Sequence, residues 1–69
     1  MEKETALTRE KLTRSIDALK RMRKYCEKQI EEPRLWPGVR AAYDEQAEIY
    51  TTAIKAMETI LYILQGGTE

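Results

Sequence analysis

Apolar residues recur at intervals of three and four along two stretches of this chain, Leu12 to Ile30 and Val39 to Leu64. Between them lies Glu31-Glu32-Pro33-Arg34-Leu35-Trp36-Pro37-Gly38, where two prolines and a glycine cannot continue a helix. The spacing predicts two amphipathic helices, over residues 8–31 and 38–65, joined by a linker at 32–37. In the first, Leu12, Ile16, Leu19, Met22, Cys26 and Ile30 form one apolar stripe. Thr8 is placed to be its N-cap, with Leu7 and Leu12 at the spacing of a hydrophobic staple. The second ends at Gly66-Gly67, a left-handed C-cap signal.

The second stretch reads in heptads. Position a holds Tyr43, Tyr50, Met57 and Leu64, and position d holds Val39, Gln46, Ala53 and Ile60. Position e holds Ala47, Ile54 and Leu61, while g holds Ala42, Ile49, Ala56 and Ile63. A coiled-coil seam needs only two apolar positions per heptad, and here there are four. Helix 1 can cover one side of helix 2 and no more. The expected fold is therefore all-α: a two-helix antiparallel hairpin that assembles into a homo-oligomer, most economically a dimeric four-helix bundle with helix 2 central. Its interface would use Ile49, Ala56 and Ile63 on one edge, Ala53 and Ile60 beside them, and Tyr50, Met57 and Leu64 where helix 1 leaves them open. Gln46, the lone polar position in this set, would pair with a tyrosine hydroxyl or with its symmetry mate.

Composition narrows the chemistry. The chain has 69 residues, no histidine and one cysteine. Ser-His-Asp and Cys-His nucleophiles are thus excluded within one chain, as are the usual zinc sites and Glu-x-x-His di-iron sites. An enzyme is not expected, nor any cofactor. Ile60-Leu61-Tyr62-Ile63-Leu64 is the longest apolar run, far short of the ~20 residues that span a bilayer. The charged start Met1-Glu2-Lys3-Glu4-Thr5 leads into no apolar signal region. With its single Cys26, the expectation is a reduced, cytoplasmic protein without a membrane role.

Charge is balanced in total, 12 bases against 12 acids, but segregated. Residues 9–28 carry eight bases and three acids, a net +5, whereas residues 41–69 carry one base and five acids, a net −4. Arg14, Arg21 and Lys28 are seven apart and share a face with Lys24, a stripe that could meet an acidic protein surface or follow a phosphate backbone. In the linker, Trp36 stands between Arg34 and Arg40, where an indole could stack on a base while guanidinium groups hold phosphate. The structural alternative is that Leu35 and Trp36 close the end of the core. Asp44, Glu45 and Glu48 could hold magnesium only with further acids from helix 1, which offers Asp17 and Glu27, so no metal is expected.

The string Asp44-Glu45-Gln46-Ala47-Glu48-Ile49 is similar to the start of the second helix in the Rop family of plasmid copy-number regulators. Those are antiparallel four-helix dimers that bind paired RNA loops. The similarity covers six of 69 residues, the break at Glu31 to Gly38 is longer than that family's turn, and the RNA-contacting pattern of its first helix is not matched. What the resemblance implies is architecture. The functional expectation is a small homo-oligomeric regulator, inhibitor or adaptor, of the kind phages and plasmids encode, that binds another macromolecule. A protein is the leading partner and a nucleic acid or nucleotide the alternative.

Overall fold

The first helix, α1, spans Glu2–Ile30, in a computed structural model that describes residues 2–66. It begins six residues before Thr8, so Thr8 is not its cap. The Thr8 hydroxyl instead donates to the Glu4 carbonyl at 2.9 Å, the habit of a threonine inside a helix. Nothing between Glu2 and Leu7 breaks a helix, and most of these residues favour one, so the pattern propagates upstream.

The helix ends by tightening. Glu31 and Glu32 donate their amides to the carbonyls of Lys28 and Gln29, three residues back, at 3.3 and 3.1 Å. Pro33 then forbids continuation, and a turn closes with the Leu35 amide on the Glu32 carbonyl at 3.2 Å. That carbonyl also accepts from the Arg40 guanidinium at 2.8 Å, which ties the linker to the next helix. The second helix, α2, spans Pro37–Leu64 with proline in its first turn, where a missing N–H costs nothing. It ends at Gln65, followed by Gly66 at φ +84°, whose amide donates to the Ile63 carbonyl at 3.0 Å. Gly67, the other half of the predicted stop signal, lies outside the described residues.

The helices pack against each other with no strand among the described residues. Three cross-links give the direction. Tyr25 meets Tyr43 edge-on with ring centroids 6.2 Å apart, Arg23 donates to the Thr51 hydroxyl at 3.3 Å, and Lys20 lies 3.5 Å from Glu58. As numbers fall on α1 they rise on α2, so the pair is antiparallel. The hairpin is a flat rod of 51 × 21 × 13 Å.

Its core is thin. Ile16, Cys26, Ala47 and Ile54 are the hydrophobic residues buried among those described. Leu12, Leu19, Ile30, Tyr43 and Leu61 flank them half-buried. Met22 does not belong to this seam; it is 47% exposed. At 3.6 residues per turn the line from Leu19 to Cys26 passes through Arg23, which lays its stem along the seam and reaches Thr51. Among the described residues no helix is long and apolar enough to cross a membrane.

Candidate functional site

Helix geometry divides the apolar surface of α2 into two sectors. At 100° per residue, heptad positions a and e centre on one direction and positions d and g on another about 110° away. α1 occupies the first, burying Ala47 and Ile54 and covering Tyr43, Tyr50, Met57 and Leu61 in part. Nothing among the described residues covers the second. Val39 is 45% exposed, Ile49 52%, Ile60 47% and Ile63 49%; Ala42 and Ala56 are exposed too, and Ala53 is half-buried. Gln46 belongs to this open sector and is exposed, so within one hairpin it is no core amide.

The open sector continues onto α1. Ala18, Met22 and Tyr25 are spaced by four and three, about a quarter-turn from the buried line, and Tyr25 is 58% exposed. Together with Arg21, Cys26, Tyr43, Gln46 and Tyr50 they line an open pocket of about 540 Å³, so one charged side chain borders this apolar face. This side row was visible in the sequence as a second apolar spacing on α1, hidden by assigning Met22 to the main stripe. In the pocket, a hydrogen bond with Tyr25 and the repulsion of that neighbouring phenol push the Tyr43 hydroxyl above its ordinary pKa, with desolvation and Cys26 adding to it.

The basic residues follow the outer edge of α1. Arg14 is exposed and paired one turn back with Glu10 at 2.6 Å, while Arg21, Lys24 and Lys28 are exposed and carry no ion pair among the described residues. The stripe is not purely basic, because Lys24 and Lys28 share a shallow depression with Glu27 and Glu31. At the linker, Trp36 is 79% exposed and closes nothing; Leu35, half-buried, is the residue turned inward. Pro37 holds the indole at the mouth of α2 in extended backbone, outside the helix and away from the seam. Arg34 is exposed, whereas Arg40 is half-buried, held by the Glu32 carbonyl, with its Nε buried and unpartnered. The Arg34, Trp36 and Arg40 set is thus split: two members face solvent and the third is part of the fold.

On the opposite broad face, Glu27, Asp44 and Glu48 border a cavity of about 430 Å³. Among the described residues no group of three or more Cys, Asp or Glu comes together that could hold a metal ion. What the surface offers is therefore contact: an apolar broad face, a basic edge and an exposed indole. No family model, no curated protein and no solved structure matches this chain.

Proposed function

We propose that this chain is a non-enzymatic homo-oligomeric binding module, a small regulator, inhibitor or adaptor that engages a protein with an acidic surface. The observation that carries the reading is the uncovered d and g sector of α2, with isoleucines about half exposed along its length. A hairpin with so thin a core gains most by hiding that sector against a copy of itself. Self-association then leaves the outer edge of α1, with Arg14, Arg21, Lys24 and Lys28, as the surface for another molecule. Glu27 and Glu31 interleave with the last two bases. A phosphate backbone would meet repulsion there, whereas a protein surface of mixed and mainly acidic charge would find complements.

A second reading rests on Trp36. An indole 79% exposed beside the exposed Arg34 suits a stacked base. One titration separates the two. Fluorescent poly-glutamate peptide and a single-stranded oligonucleotide are each titrated with wild type, with Arg21→Glu/Lys28→Glu and with Trp36→Ala. The protein reading expects peptide binding lost in the charge reversal and unaffected by Trp36→Ala. Oligonucleotide binding that Trp36→Ala abolishes promotes the second reading and sinks the first. Binding of neither probe refutes the edge as a contact surface.

A further inference from the structure

We infer that the occupant of the open face is a second copy of this chain, stacked face to face so that α2 lies antiparallel on the partner's α2 with the two-fold axis at the height of Thr51. The inference rests on the oligomeric reading above and adds its topology. The first argument is the angle. Each helix carries two apolar sectors about 110° apart, one facing its own partner helix and one perpendicular to the hairpin plane. The pocket that joins Ala18, Met22 and Tyr25 to Gln46, the d position it includes, puts both second sectors on the same side. A helix with neighbours at near right angles is a corner helix of a four-helix bundle.

The second argument is height. The open stripe of α2 runs from Val39 to Ile63, and its midpoint is Thr51. The unbroken apolar part of the α1 row runs from Ala18 to Tyr25, set apart from the exposed Leu7 on the same line by the charged Lys11 and Arg14, and its midpoint falls between Arg21 and Met22. Arg23, next to Met22, bonds to Thr51, so the two midpoints share one level. A two-fold axis through that level makes both rows self-complementary at once. A stack that placed α2 on the partner's α1 would set the long stripe of one against the short row of the other.

Register supplies the third argument. With the axis at Thr51, each d position meets a g position of the partner. Ile49 then faces the partner's Ala53, Gln46 the partner's Ala56, Ile60 the partner's Ala42 and Ile63 the partner's Val39. Large opposes small through the middle of the seam, the arrangement that lets facing layers interdigitate. A parallel pairing would instead oppose Ile49, Ile60 and Ile63 to themselves and align Glu45 with its own copy. The stripe itself carries no charged residue. It is about 36 Å long at 1.5 Å per residue. Over the 21 Å width of the hairpin that length sweeps a projected footprint of about 750 Å² per partner, polar flanks of α1 included, of the same order as the ~800 Å² buried per partner in a standard specific interface.

Disulfide trapping tests this. In a Cys26→Ala background, checked for helicity, chains with Ala42→Cys and chains with Ile60→Cys are mixed under mild oxidation and compared with each alone, while native mass spectrometry is run on the unmodified protein. The expected result is a dimer mass and a mixed disulfide between the two variants, with neither variant linked to itself. In the proposed register two copies of residue 60 lie about 27 Å apart along the axis, far outside disulfide reach. Self-linked Ile60→Cys chains would establish the parallel pairing and overturn the proposal. A dimer mass without the mixed disulfide would overturn this topology and leave the homo-oligomeric reading in place. A monomer mass would overturn both.

Discussion

Ile49 is the residue whose truncation reports most directly on the open face. It is 52% exposed in the hairpin, so about half of its side chain is still in water. Changing it to alanine removes three carbon atoms, worth about 2.4 kcal/mol when fully buried, at roughly 0.8 per carbon. The hairpin already realises about half of that, which leaves about 1.2 kcal/mol per chain, or about 2.4 per dimer, to be lost only on association. That is a rise of about 50-fold in the dimer Kd if the separated chains stay folded. If they fold only as they associate, the whole 2.4 counts twice, and alanine returns roughly 0.4 kcal/mol per chain in helix propensity. The loss is then about 4 kcal/mol and the rise about 1,000-fold. Sedimentation equilibrium of wild type, Ile49→Ala and the polar-face control Lys55→Ala measures it. A change under about threefold for Ile49→Ala, or an equal change for Lys55→Ala, would refute the reasoning, because no partner would then cover the stripe.

Four further outcomes are expected. Ile54→Ala, at a side chain only 3% exposed, should lower unfolding free energy by about 2–5 kcal/mol; chemical denaturation showing less than about 1 kcal/mol would mean that the seam is not the core. Arg40→Ala frees the Glu32 carbonyl and should cost about 1–2 kcal/mol, and an unchanged midpoint would show the clasp to be incidental. Tyr43 has a folded pKa above the ordinary value of 10.0, so its contribution to stability is complete below pH 10 and is lost as pH rises through the folded value. Tyr25→Phe removes the main cause, so tyrosinate absorbance should then show Tyr43 ionising at lower pH; an unmoved titration would remove Tyr25 from the explanation. The proposed stack of α1 on the partner's α1 would set two basic edges side by side, so added salt should tighten such a dimer by screening their repulsion. A dimer that loosens with salt would point to α2 resting on the partner's α1.

Much of this architecture was legible in the residues, and its failures share one cause. The spacing of Ile16, Leu19, Cys26 and Ile30 and the break at Pro33 and Pro37 are strong local signals, and both helices follow them. Met22 and Arg23 show the limit. A stripe drawn at intervals of three and four can pass through either, and hydropathy chose the methionine. The structure chose the arginine because its long stem can lie on the seam while the guanidinium reaches Thr51. Trp36 erred in the same direction: its size suggested a core cap, but Pro37 fixes the backbone there and leaves the indole outside. On α2 the breadth of the apolar arc could be read from the sequence, and the edge of Ile49, Ala56 and Ile63 that the reading left over is the one exposed in the hairpin, while Ala47 and Ile54 at position e are buried under α1.

The antiparallel pairing of a basic helix with an acidic one has an electrical consequence. Along the rod, the dipoles of α1 and α2 point in opposite directions and largely cancel. Across its 21 Å width they do not matter, because there the side-chain charges set the polarity, positive at the α1 edge and negative at the α2 edge. In the proposed dimer the two-fold axis across the width preserves that polarity, so two copies would add their transverse moments while any lengthwise remainder vanishes. An approaching acidic body would be turned before contact toward one long edge of the assembly, and a basic one toward the other.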